Sequence, residues 1–178
     1  MNGVEALADG FGRISGVVHA VLDGISDEAL TFRADPDANT VAWLVWHLAR
    51  SQDAQVAHLV AGDAGAGAAD AAGAWQAEGF GERFALPFGP GETGYGHTSA
   101  KVAAVRAPAG LLGEYYDAVA ARTTAYVAGL ADADLDRVID TSWTPPVTVG
   151  VRLVSILADG LQHAGQAAFV RGVAQRVR

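Results

Sequence analysis

Apolar residues at Val4, Leu7, Phe11, Ile14, Val18, Val21 and Ile25 recur at alternating steps of three and four. That spacing draws one stripe down an α-helix and predicts a first helix over 4–25. Gly24 and the Ser26-Asp27 pair mark its end; residues 26–30 add a short turn, and 33–37 read as loop. A second helix is expected from Asn39 or Thr40, since either side chain can cap the first free amides. It carries Val41, Leu44, Val45, Leu48, Val56 and Leu59 inward and stops at Gly62. A third starts at Pro108, with Leu111, Leu112, Tyr115, Val119, Tyr126, Val127 and Leu130 as its core side. Residues 132–139 suggest another short turn and 141–146 a turn or extended link. The last helix opens near Thr148 and runs to about 174, with Leu153, Ile156, Ala167 and Val170 on one face. Four long helical stripes and no strand alternation predict an all-α four-helix bundle.

The periodicity fails between the second and third helices. Residues 62–74 are Ala, Gly and Asp and are expected to form a mobile loop, while 75–107 mix Gly, Pro and aromatics. Trp75, Phe80, Phe84, Phe88 and Tyr95 suggest that this second half packs back onto the bundle, with a short helix near 75–84. So long a connection is uncommon without a function of its own. Trp43 and Trp46 read as packing residues.

Composition narrows the picture. The 178 residues fit one domain over 1–178, and 51% hydrophobic with 18% charged residues is globular rather than disordered. A net charge of −8 argues against nucleic acid, whose phosphates are held by clustered Lys and Arg. There is no cysteine, which excludes disulfides, zinc-thiolate sites and cysteine nucleophiles. No apolar run approaches the roughly 18 residues of a membrane span, and the first residues lack the pattern of a secretory leader. A cytoplasmic protein is the expectation.

Five histidines are the candidates for chemistry. His47 and His58 share a helix but stand eleven residues apart, roughly 16 Å along the axis, so they cannot hold one ion together. Asp159 and His163 are four apart and point to the same side, on the face that carries the last helix's apolar stripe. A carboxylate there needs a partner. Either His163 alone supplies it in a hydrogen-bonded pair, or both hold a metal with His47 arriving from the apolar run VAWLVWHLA. Two imidazoles and one carboxylate are a normal ligand set for catalytic zinc or a similar ion, with positions left open. Arg50, one turn after His47, is a candidate for holding an anionic group at the site mouth, or else a surface residue. Gln162 and Gln166 flank His163 and could orient it. Tyr95 and His97, in GETGYGHTS, are candidates for covering a pocket.

The pieces NTVAWLVWHLARSQD (39–53) and DGLQHAGQAAFVRG (159–172) resemble the DinB superfamily, which includes mycothiol-dependent maleylpyruvate isomerases and bacillithiol-type S-transferases. The resemblance spans nearly the whole chain, including the long connection between helices two and three. It implies a four-helix bundle whose metal is held by one histidine of the second helix and two residues of the last, here His47, Asp159 and His163. Many relatives have histidine at the position of Asp159, whereas the mycothiol-dependent isomerases have glutamate, so Asp159 resembles the carboxylate version. The implied cofactors are a divalent metal (zinc, with nickel or iron as alternatives) and mycothiol or a similar thiol. The implied activity is transfer or isomerisation between that thiol and a small electrophile, and a homodimer is plausible. Metal-assisted hydrolysis and a non-catalytic, metal-stabilised binding domain are the alternatives. The ferritin-like pairs of Glu-x-x-His, the His-Glu-x-x-His motif and the Gly-x-Ser-x-Gly elbow are all missing.

Overall fold

The computed structural model describes residues 1–64 and 72–177. Its frame is four long helices: α1 (Gly3–Leu22), α3 (Val41–Ala64), α7 (Ala109–Ala128) and α8 (Val149–Arg176). Short helices α2 (Asp27–Leu30), α4 (Ala74–Ala77), α5 (Phe80–Phe84) and α6 (Ser99–Ala104) lie in the connections. α8 sits between α1 and α3, and α7 closes the ring between the same two neighbours. The fold is thus the all-α bundle expected. None of the described helices is long and apolar enough to cross a membrane.

Local chemistry accounts for the helix starts. Asn2 accepts the Glu5 amide while the Glu5 carboxylate accepts the Asn2 amide, which opens α1 with a reciprocal cap. The Thr40 hydroxyl accepts the Trp43 amide (3.0 Å) ahead of α3, and Thr148 accepts the Val151 amide ahead of α8. α1 buries one stripe, Leu7, Phe11, Ile14, Val18 and Val21. α1 and α8 approach closely where Gly160 lies under Ile14; a Cβ there would come within 2.8 Å of the Ile14 Cδ1.

α3 is different in kind. Every residue from Thr40 to Arg50 is buried, because the bundle covers one side and the long connection folds over the other. This explains why VAWLVWHLA is apolar all round. Trp75, Phe80 and Phe84 pack in this cover, and Trp46 is enclosed beneath it.

Several expectations are corrected. Gly62 does not stop α3, which runs to Ala64. The short helix near 75–84 is two, α4 and α5, separated by Gly79 in the left-handed region (φ 68°). Tyr95 does not pack: it is 94% exposed, because Gly94 (φ 102°) and Gly96 (φ 69°) turn the chain so that the backbone, not this ring, meets the bundle. Of the loop expected over 62–74, residues 65–71 lie outside the described residues. Two short strands were not anticipated: β1 (Val138–Asp140) pairs antiparallel with β2 (Val147–Thr148) just before α8. Three and two residues are too short to show alternation.

Candidate metal centre

α3 and α8 bring His47, Asp159 and His163 together, each offering one ligand atom within 4.8 Å of the others. The carboxylate Oδ1 of Asp159 lies 3.4 Å from Nε2 of His163. That is long for a charge-assisted hydrogen bond, which prefers about 2.7–2.9 Å. It matches the edge of a tetrahedral site, where bonds of about 2.1 Å put ligand atoms about 3.4 Å apart. The two imidazole rings stand nearly perpendicular with centroids 4.7 Å apart.

Hydrogen bonds fix both rings. Nδ1 of His47 lies 2.6 Å from the Thr93 carbonyl, and Nδ1 of His163 lies 3.0 Å from Oε1 of Gln166. Each acceptor requires the proton on Nδ1, which leaves the Nε2 lone pair free. An outer partner that sets the tautomer and aims the ring is the usual company of a metal-ligating histidine. Trp43 stacks on His47 (4.5 Å, 19°) and meets His163 edge-on, closing the inner side.

The electrostatics agree. Burial pushes the His47 imidazole below its ordinary value, outweighing the hydrogen bond to Thr93 that works the other way, and so favours the neutral ring that a cation requires. Hydrogen bonding to His163 holds Asp159 below the usual carboxylate range, and Asp159 in turn raises His163. A cation in the place of that shared proton would meet two neutral nitrogens and one carboxylate.

Asp159 and His163 sit at the rim of the α8 stripe rather than in its middle, because 159 and 163 are rotated away from Leu153, Gly160, Ala164 and Ala167. The Asp159 side chain is 41% exposed. Burial therefore does not compel a partner for this carboxylate; the geometry around it carries the metal reading.

Arg50 requires a correction. It is neither at the surface nor free at the mouth. The guanidinium is buried, donates to the carbonyls of Glu92 and Pro90 and to the Tyr115 hydroxyl, and lies 3.6 Å from the Asp53 carboxylate. Asp53 also accepts the amides of Ala74 and Trp75 (both 2.8 Å) and the Tyr115 hydroxyl (2.9 Å). This buried network fastens the connection to α3. Three of its five N–H donors are engaged and its charge is met by Asp53, so this buried guanidinium is committed to the connection rather than to an anion at the mouth.

The other candidates divide. Gln166 orients His163, but Gln162 turns back to the Ala158 carbonyl of its own helix and does not reach the site. His97 is enclosed: it accepts from the Trp43 indole and donates to Glu92, so it pins the connection over α3 and does not face a ligand. Tyr95, pointing to solvent, covers nothing.

Two partners left little trace in the sequence. Thr93 acts through its backbone carbonyl, which any residue type provides. Gly94 touches the His47 ring so closely that a Cβ would fall 2.6 Å from Nδ1; the Gly-Tyr-Gly spacing was its one visible signal.

Comparison with known proteins agrees with this architecture. A family model for the DinB superfamily matches residues 13–167. A solved structure from Enterococcus faecalis, described as a conserved protein, is similar at a TM-score of 0.82 with 30% identity, covering 96% of each chain. No curated protein matches the chain.

Proposed function

Because the chain belongs to the DinB superfamily and presents a prepared His-Asp-His ligand set, we propose that it is a metal-dependent transferase or isomerase that uses a low-molecular-weight thiol such as mycothiol. The observation that carries this reading is the pair of Nδ1 hydrogen bonds, from His47 to Thr93 and from His163 to Gln166, which fix both rings and leave Nε2 of each as the available ligand atom. His47, Asp159 and His163 would hold the ion, with zinc favoured by two imidazoles and a carboxylate, and nickel or iron as alternatives. A divalent ion there supplies a Lewis-acid centre that lowers the pKa of a bound thiol. In a transfer the sulfur forms a bond to carbon, the thiol proton passes to solvent and the leaving group departs with its electron pair. The residues of this chain orient the site: Thr93 and Gln166 hold the rings, and Trp43 excludes water from the inner side. The protein has no cysteine of its own, so the sulfur comes from the thiol. Chemistry of this kind suits the cytoplasm, where thiols are kept reduced.

Metal analysis of protein purified without an affinity tag is expected to find about one ion per chain, and none in His47→Ala. Thiol-dependent turnover of a model electrophile, lost in His47→Ala, supports the transferase. Ester cleavage without thiol would instead assign a hydrolase. A bound metal with neither activity would leave a metal-stabilised binding domain. A folded, metal-free protein with no affinity for added zinc would refute the site.

The partner expected is a second copy of the chain. The outward side of α8 exposes Val151, Val154, Leu161 and Phe169, with Phe169 66% exposed. Ala158, Gly165 and Ala168 lie between them and no charged residue interrupts the stripe. Two such helices crossing antiparallel about the point between Leu161 and Gln162 would set Phe169 against Val154 and Ala158 against Gly165. A patch that complements itself about a two-fold axis is what a symmetric dimer requires.

A further inference from the structure

Beyond the ligands, the site continues as a seam between α3 and α8. On α3, Ser51, Gln55 and His58 follow His47 at helical steps of four, four and three. His47 is buried, Ser51 and Gln55 are half-buried and His58 is exposed, so the seam opens outward along its length. On α8, Arg152 stands seven residues before Asp159, two turns and about 10 Å away on the same side of the helix. The helices run antiparallel along this seam. His47 meets His163 at one end. At the other, Asp140 is held below its ordinary value first by Ser142 and then by the nearby charges of Arg152 and His58.

Arg152 is a partly buried cation held by a single, long ion pair. Its side chain is 23% exposed and makes no hydrogen bond among the described residues; its nearest acid is Asp140 at 3.9 Å. The contact is to Oδ2 of Asp140 and is longer than a hydrogen bond, while Oδ1 accepts from the amide and hydroxyl of Ser142. Of the other arginines on or beside these helices, Arg50 is held in the buried network, Arg137 by Asp63 at 2.6 Å and Arg171 by the Ala20 and Asp23 carbonyls, while Arg176 is exposed at the far end of α8. A half-buried guanidinium with five N–H donors in a fixed plane is suited to a carboxylate, which it can meet with two parallel hydrogen bonds. Arg152 also lies in the first turn of a 28-residue helix, where the positive end of the dipole favours an anion.

We propose that Arg152 anchors a carboxylate at the far end of the ligand whose other end is held at His47, Asp159 and His163. The substrate class is then an elongated molecule with its carboxylate about 10 Å from the reacting atom, set by the two helical turns between Arg152 and Asp159. This inference rests on the metal-and-thiol reading above and supplies the anionic contact that Arg50 does not make.

The test uses the full chain loaded with cobalt(II), whose visible absorption changes when sulfur enters its coordination. The probes are mercaptoalkanoates from mercaptoacetate up to mercaptooctanoate, each paired with the carboxamide of the same length. Short acids are expected to bind no better than their amides. Longer ones should bind about tenfold better, the scale of a charged hydrogen-bonded pair. Arg152→Gln should abolish that preference while cobalt content and carboxamide binding stay unchanged; Arg152→Lys should restore part of it. Thiols that bind with no preference for carboxylate at any length, or a preference that survives Arg152→Gln, overturn the inference and leave the thiol reading intact. If no thiol perturbs the cobalt spectrum of protein that holds the metal, the thiol reading fails and the inference with it.

Discussion

Replacing Gly94 with alanine separates the stability of the connection from the readiness of the candidate metal site. The new Cβ would lie 2.6 Å from Nδ1 and 3.2 Å from Cγ of His47, and 3.1 Å from the Trp46 ring. Neither ring can retreat, since both are buried in the middle of α3. The connection must therefore lift, and the adjacent Thr93 carbonyl loses its 2.6 Å contact with His47. Two costs add. A non-glycine residue held at φ 102° is strained by about 1–3 kcal/mol. A buried donor left without its acceptor costs about 1–3 kcal/mol more. Urea denaturation of the metal-free variant should show a loss of about 2–6 kcal/mol. Loss of the contact that orients a ligand weakens metal binding about 10- to 100-fold, which a chelator competition at fixed pH would measure. A variant that matches the wild type in both would mean that the connection does not press on His47, and would refute the argument that it prepares the ligand. A variant that loses stability but keeps full metal affinity would refute only the orienting role of Thr93.

Three further outcomes follow from the same contacts. Asp53→Ala removes the acceptor for two amides and a tyrosine hydroxyl and leaves Arg50 buried beside no carboxylate. It should cost about 3–5 kcal/mol in urea denaturation, and a loss below about 1 kcal/mol would show that the network is solvated. In the metal-free protein, Asp159 is lowered and His163 raised by their mutual contact. Their stabilisation is therefore complete between the unfolded values of about 4 and about 6.5. It disappears as pH falls through the lowered Asp159 value and as it rises through the raised His163 value. With Asp159 41% exposed the effect stays under about 1 kcal/mol. The stability difference between wild type and Asp159→Asn should peak in that window, and a difference flat with pH contradicts the pairing. Phe169→Glu places a charge at the C-terminal end of the exposed α8 stripe, where the dimer would set it against Val154. Sedimentation should show wild type at twice 18.3 kDa and the variant at 18.3 kDa, with metal content unchanged; a monomeric wild type would refute the dimer.

The sequence alone determined the four long helices, because steps of three and four between apolar residues have no other stable reading. It also put Asp159 and His163 on one side of the last helix, since they are one helical turn apart; that His47 joins them was implied by the family resemblance. The cap at Thr40 and the start of α8 at Thr148 were legible for the same local reason. Tertiary structure decided what lies opposite what. It alone showed that Arg50 faces a buried carboxylate, because the connection carrying its partners is distant in sequence and has no period to read. It alone showed that Tyr95 faces solvent while Gly94 presses on His47, since that depends on two positive φ angles. The orientation of His47 rests on the Thr93 carbonyl, a group every residue type possesses. And α3 is apolar on every side because a loop covers its outer face, a cause that the helical pattern does not contain.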